Sequence, residues 1–471
     1  MPADLDSLFD ELGRQADALP TGGVEQARRR GRQRTHTRTI VSAAVAVVLI
    51  VVGGGLLLRP PEHEAAPVPL DGRPLPAVGV PIDLDGTAST RLATDSKRVY
   101  TAGFRAADTS VYLKAVDLGT GVPVWERRAT VDPRRALEQV VVAPSAVLVI
   151  TRSLNGTRPA VGMLAFDPAT GRPLWTKVGE LDDDLVFMAG MLVRRTEATG
   201  RVEGFDWVSG ATRWSRRAGD RAARAVGMGI RGDEARLNRS GPSPVFGGDR
   251  VVILTDTGKA EVYDAATGRL DRTVPAGAAP GPGRTVVAYD GWLYTGHKAG
   301  GVLRIRVTDL AGEAGTAVVK EFPGGLLHTM AGCGADRVCV VTESDPPTTV
   351  LTAIDARQRR VAWQATSASS LDQVSSAGDR TLLTSNAGGL ALFDARGRLL
   401  HESGAVGGWL DATSLLSFMT DGSGRAARVS ASDGRLTPYD RLTQEFDGVC
   451  TSGGNRLACA NEGRLRIWKL S

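Results

Sequence analysis

Seven aspartates, Asp117, Asp167, Asp206, Asp264, Asp309, Asp355 and Asp394, recur along the chain at spacings of 50, 39, 58, 45, 46 and 39 residues. A carboxylate can serve as a general base or as a ligand to a hard cation. The residues around these seven favour another duty. Each ends an apolar stretch, and Thr-Gly often follows, as in Asp117–Gly121 and Asp167–Gly171. An aspartate there accepts hydrogen bonds from turn amides, and the glycine tolerates positive φ. The other reactive side chains do not assemble either. His297, His328 and His401 sit in different repeats and share no acid partner. His63-Glu64-Ala65-Ala66 runs into Pro67, so the second histidine of a zinc-protease motif is missing. Asp83-x-Asp85-Gly86 is too short for a calcium loop and reads as a turn. No nucleophile elbow or phosphate-binding glycine loop appears. The expectation is therefore no catalytic residue, no cofactor site and no metal site.

The four cysteines form two short-range pairs. Cys333 and Cys339 flank Gly334–Arg337, and Cys450 and Cys459 flank Gly453–Asn455. Each pair brackets a predicted hairpin between the first two strands of a repeat, where cross-strand sulfurs come within disulfide reach. Two local disulfides are expected. A four-cysteine metal site is the other reading, but neither spacing suits the usual zinc patterns.

Strands must position these groups. Ala115–Trp125 reads AVDLGTGVPVW, Ala165–Trp175 AFDPATGRPLW, Gly204–Trp214 GFDWVSGATRW and Ala353–Trp363 AIDARQRRVAW. Val262–Leu270 and Leu392–Leu400 are shorter copies, and Val307–Gly312 and Val429–Leu436 are weaker ones. An alternating apolar stretch precedes each copy, as at Val99–Phe104, Val147–Thr151 and Val251–Thr255. A period near 45 residues suits one four-stranded antiparallel blade. The fold class expected is an all-β propeller over residues 81–471, with eight blades and with seven or nine as alternatives. Arg456–Leu470 is a partial terminal unit, and Pro76–Leu84 is the expected source of its missing strand, which would remove an exposed edge.

The pattern A-x-D-x-x-T-G-x-x-x-W resembles the PQQ (pyrroloquinoline quinone)-type repeat of quinoprotein alcohol dehydrogenases and of the outer-membrane assembly lipoprotein propeller. The resemblance implies that Trp125, Trp175, Trp214 and Trp363 pack between neighbouring blades, against the repeated glycines, and that Asp117, Asp167, Asp206, Asp264, Asp355 and Asp394 shape turns. In the dehydrogenases an adjacent Cys–Cys disulfide, a calcium ion and a catalytic Asp accompany the quinone. This chain has no adjacent cysteines. The resemblance therefore implies the scaffold and not the redox site.

Ahead of the repeats, Ile40–Leu58 is a run without charge, long enough to span a bilayer core. Arg28, Arg29, Arg30, Arg32, Arg34 and Arg38 precede it and only Arg59 follows closely, which places the N-terminus in the cytoplasm. A cleaved signal peptide is the other reading; the long leader and the poor cleavage sequence at His63–Ala66 speak against it. The expected organisation is a cytoplasmic tail at 1–38, a transmembrane helix at 39–59, a Pro-rich stalk at 60–80 and an extracytoplasmic propeller at 81–471. In the tail, Leu5, Leu8, Phe9, Leu12, Ala16 and Leu19 follow helical spacing. The formal net charge of +5 is accounted for by the arginines beside the span, so no nucleic-acid partner is expected. The expected function is a non-enzymatic, membrane-anchored platform for a protein, peptide or glycan ligand, with the Arg-rich insertion Gly219–Ser243 as the candidate binding loop. The alternatives are a transmembrane sensor linked to a sigma factor through its tail, and a quinoprotein dehydrogenase.

Overall fold

The computed structural model describes residues 75–470 apart from 85–86, 88, 106–109, 132–134, 154–159, 217–220, 230–245, 278–284, 344–347, 386–387, 419–424, 440–448 and 462. All described residues lie in one compact body, Leu70–Ser471. The tail, the apolar run Ile40–Leu58 and His63–Ala66 lie outside them. Among the described residues no helix is long and apolar enough to cross a membrane.

The regular structure is all β, as expected. Seven four-stranded sheets and one eight-stranded sheet form, and the larger one is two antiparallel fours joined by short parallel pairing of Met228 and Gly229 with Ala288 and Tyr289. In chain order these nine four-stranded units run over 89–130, 135–180, 184–216, 222–275, 285–323, 326–367, 373–403, 406–439 and 449–469. Unit 9 has only three strands of its own. Its fourth comes from the start of the described chain: Ile82 pairs Leu465, Asp83 pairs Arg464, and Ala77 bridges Trp468. Pro76–Leu84 thus supplies the missing strand. Asp83, expected in a turn, lies in this strand instead, where its backbone partner on Arg464 holds it extended.

Burial explains why the middle strands read as unbroken apolar runs. Ala146–Ser153 and Ala160–Phe166 are covered on both faces by the flanking units, whereas the outer strand Arg360–Ser367 alternates exposed and half-buried. Nine apolar clusters fill nine seams. One joins Tyr100 and Trp125 of unit 1 to Val149 and Phe166 of unit 2, and another returns from Ala458 and Leu465 of unit 9 to Leu92 and Val99 of unit 1. Antiparallel pairing puts the first turn and the Asp turn of a unit at one end of its sheet, called here the turn end. The remaining connections lie at the other end.

The insertion Gly219–Ser243 requires a correction. Ala222–Gly229 is the first strand of unit 4, paired antiparallel with Arg250–Thr255, with Ala222 and Ala225 buried. The extra residues follow that strand; residues 230–245 lie outside the described ones.

Candidate functional site

The repeated aspartates lie at the turn end with their carboxylates directed into their own turns. Asp117 Oδ1 accepts from the Gly119 amide at 2.9 Å, the Thr120 amide at 2.8 Å and the Thr120 hydroxyl at 3.0 Å. Asp167 holds Ala169 and Thr170 at the same three distances. Asp206 repeats the set with Val208 and Ser209, and Asp264 with Thr267. Asp355 accepts from the Gln358 amide, and Asp394 from those of Arg396 and Arg398. These donors stabilise the ionised form. The Ser209 amide, with its hydroxyl and the Arg213 guanidinium, brings Asp206 down to about 2. Thr120 and Thr170 lower Asp117 and Asp167 in the same way, chiefly through their amides, and Thr267 lowers Asp264 through its hydroxyl and amide. At Asp394 burial pushes up, but the Arg398 and Arg396 amides together outweigh it.

Each tryptophan lies over the turn of the next unit. Trp125 Nε1 donates to Pro168 O at 3.0 Å, Trp175 to Trp207 O at 2.8 Å and Trp214 to Ala265 O at 2.7 Å. The acceptor is always the residue after the turn aspartate. The indole faces a glycine so closely that a methyl there could not fit: a Cβ at Gly171 would lie 2.6 Å from Trp125, and one at Gly210 2.5 Å from Trp175. Trp363 lies over Gly397 in the same manner, yet its buried Nε1 has no acceptor.

A second set of linkers escapes the sequence reading. Arg98 Nη1 donates to Pro168 O at 2.6 Å, Arg337 Nη1 to Ala395 O at 3.1 Å, Arg380 Nε to Ala431 O at 2.7 Å and Arg456 Nε to Leu118 O at 3.2 Å. These are arginines of units 1, 6, 7 and 9, and their acceptors occupy the place taken by the indole's acceptor elsewhere. A signal was present: each arginine opens a second strand directly after the first turn, in S-K-R-V, A-D-R-V, G-D-R-T and G-N-R-L. Arg250 stands in the same place but pairs with Asp249, Asp264 and Asp271 of its own unit.

The cysteines are bonded as two local pairs, Cys333 to Cys339 and Cys450 to Cys459, with Cα separations of 5.6 and 4.1 Å. Both link the first two strands of a unit, and Cys450 stands directly opposite Cys459 in the register. The histidines stay apart: His328 meets Glu343 at 3.0 Å, and His401 is a half-buried outer-strand residue whose imidazole is held below its usual range by desolvation. The most buried charge, Arg195, lies between two carboxylates, with Nε 2.5 Å from Asp184 and Nη1 2.5 Å from Glu197, and Asp184 also holds Arg224 at 2.9 Å, tying unit 3 to unit 4. A recess of about 590 Å³ lies near units 7 and 8, with Asp379, Arg380, Ser414, Arg428, Ala377 and Ala431 in its wall and no histidine or cysteine. No group of three or more potential metal ligands occurs among the described residues.

An aspartate turn capped by the preceding unit's tryptophan, repeated from unit to unit, can now be set beside known proteins. Residues 107–309 match the family described as outer membrane protein assembly factor BamB. Over this stretch the chain is similar to proteins built from PQQ-type repeats. The match runs from unit 1 to the third strand of unit 5, and the PQQ-type turn continues beyond it at Asp355 and Asp394. Among solved structures, BamB from Moraxella catarrhalis is 16% identical and aligns over 83% of this chain and 97% of its own, with a TM-score of 0.40. The computationally designed Ika8 protein is 13% identical over 85% of this chain and 98% of its own, with a TM-score of 0.43. No curated protein matches the chain.

Proposed function

We propose that the chain is a single-pass membrane protein, N-terminus cytoplasmic, whose extracytoplasmic PQQ-type propeller of nine blades is a non-enzymatic platform for a protein, peptide or glycan ligand. The observation that carries this reading is the use of the repeated carboxylates. Asp117, Asp167, Asp206 and Asp264 each have an oxygen committed to the amide and hydroxyl donors of their own turn. A carboxylate held in this way is a poor base. The blade number rests on the nine seams and on the return of unit 9 to unit 1. Anchoring rests on the uncharged run Ile40–Leu58 with its one-sided arginines, and the outward address also on two disulfides, which persist in oxidising compartments.

The test uses the full chain in detergent, loaded with pyrroloquinoline quinone and calcium. No reduction of an artificial electron acceptor above the protein-free rate is expected. Quinone- and calcium-dependent turnover would overturn the non-enzymatic reading. Alkylation of intact cells supports the address if all four cysteines resist modification until a reductant is added.

A further inference from the structure

We propose that the turn end of the propeller is an electrostatic docking surface for a bilayer rich in anionic phospholipid; this rests on the membrane-anchored reading above. Arg172, Arg269 and Arg398 each directly follow the glycine of an Asp turn, Arg435 follows the glycine of the corresponding Ser430 turn in unit 8, and Arg360 follows the residue that replaces that glycine in unit 6. All five side chains are exposed. The turn carboxylates are drawn inward by their own amides: the Asp394 side chain is 13% exposed, while Arg398 beside it is 75% exposed. The turns of units 2, 4, 6 and 7 thereby present a cation to solvent and keep the turn aspartate back, whereas in unit 8 Asp433 is exposed beside Arg435.

The turns are adjacent, so these cations share one side of the molecule. Contacts between Trp125 and Pro168, Trp175 and Trp207, and Trp214 and Ala265 join the first four turns. Arg359 joins turn 6 to Gly315 of turn 5, Trp363 lies on turn 7, Arg380 reaches turn 8, and Arg456 reaches turn 1. The density is greatest in units 6 and 7, where Asp-Ala-Arg-x-Arg occurs twice and Arg357, Arg360, Arg396 and Arg398 are all exposed. Exposed acids at this end are Asp249, Asp379 and Asp411, each paired with a less exposed arginine, together with Glu313 in turn 5 and Asp433 in turn 8.

The described chain also begins at this end. Ala77 bridges Trp468, and the neighbouring Leu470 amide bonds Asn455 in the first turn of unit 9. Guanidinium groups bind phosphate through paired donors, and each basic residue near an anionic leaflet strengthens association about five-fold. A lipid surface fits better than one small anion because the cations are spread over successive units and do not converge on one cavity.

The full chain would be reconstituted into nanodiscs of phosphatidylcholine alone or with phosphatidylglycerol, and arginine modification by phenylglyoxal read by mass spectrometry. Arg357, Arg360, Arg396 and Arg398 are expected to react at least about five-fold more slowly on the anionic discs, and to recover at high salt. Arg201, at the opposite end of its unit, should react alike on both. Equal rates at the four arginines on both discs would overturn the proposal. Co-flotation with phosphatidylcholine discs reads the anchor separately: a chain that floats only with anionic discs has lost the anchor and kept the surface.

Discussion

The seam between units 1 and 2 and the seam between units 9 and 1 meet the same requirement with different chemistry. In the first, Trp125 covers Gly171 and gives its Nε1 proton to Pro168 O, with Arg98 and Tyr100 directed at the same carbonyl. In the second no indole is available, because the outer strand of unit 9 arrives from the other end of the chain. The backbone at Val78 lies over Gly121 instead. Polar links fill in: Arg456 to Leu118 O, Lys114 Nζ to Asp83 O at 2.8 Å and Thr94 Oγ1 to Ser452 O at 2.6 Å. A buried aromatic contributes large, non-directional burial, whereas the closing seam sets a few directional bonds beside its apolar cluster in the indole's place.

The comparison is broken most severely by removing an indole. Trp125→Ala empties a site where the side chain is 7% exposed and opens a cavity between two units. A loss of about 3–5 kcal/mol is expected, measured by urea unfolding. Gly171→Ala should fail for the complementary reason: its φ is +69°, and the new methyl meets the Trp125 ring. A loss below about 1 kcal/mol for Trp125→Ala would show that the seam does not rely on the indole.

The closing seam should be the more sensitive to loss of an arginine. Arg456→Met keeps most of the aliphatic stem and removes the bond to Leu118 O, so about 1.5–3 kcal/mol should be lost. Arg98→Met should cost less, because Pro168 O retains the Trp125 donor. Comparable losses in the two variants would mean that the seams do not differ in this respect.

These contrasts were unevenly legible in the sequence. The Asp turns and their tryptophans could be read because motif and partner recur together within about ten residues of each other or one period apart. The arginine links could not, since the acceptor is a backbone carbonyl of any residue type and, for Arg456, lies 338 residues away. Eight repeats and a partial terminal one could be marked in the sequence, the eighth only weakly because Ser430 stands where units 1 to 7 carry aspartate. Ala222–Gly229 was absorbed into an insertion because the residues that follow it, 230–245, stretch the repeat spacing. Arg359, with φ of 49°, holds the left-handed position that glycine takes in the neighbouring turns, and no local pattern announced it.

A smaller effect tests the turns that both kinds of seam share. Asp117, Asp167, Asp206, Asp264 and Asp394 have folded pKa values below the unfolded value of about 3.9, so the stability they contribute is complete above that value and is lost as the pH falls through the folded one. For Asp206 that window closes near 2. Thermal melts between neutral pH and pH 2 should show the melting temperature falling below about pH 4. Asp206→Asn should melt lower than wild type at neutral pH and lose part of that acid slope. An unchanged slope would remove the carboxylate from the account of the turn.

The finest distinction separates two tryptophans that look alike in sequence. Trp125 and Trp363 occupy the same repeat position and each covers a glycine of the next turn. Phenylalanine keeps most of the burial and removes only the Nε1 donor. At Trp125 that donor has a partner at 3.0 Å, so Trp125→Phe should cost about 1 kcal/mol. At Trp363 the equivalent carbonyl, Ala395 O, is taken by Arg337, and the indole proton is buried without a partner. Removing an unsatisfied buried donor relieves a desolvation penalty, so Trp363→Phe should be close to neutral in the same urea titration. If Arg337→Met then makes Trp363→Phe as costly as Trp125→Phe, the two donors compete for one carbonyl. Additive effects of the two substitutions would instead separate the arginine from the indole at this seam.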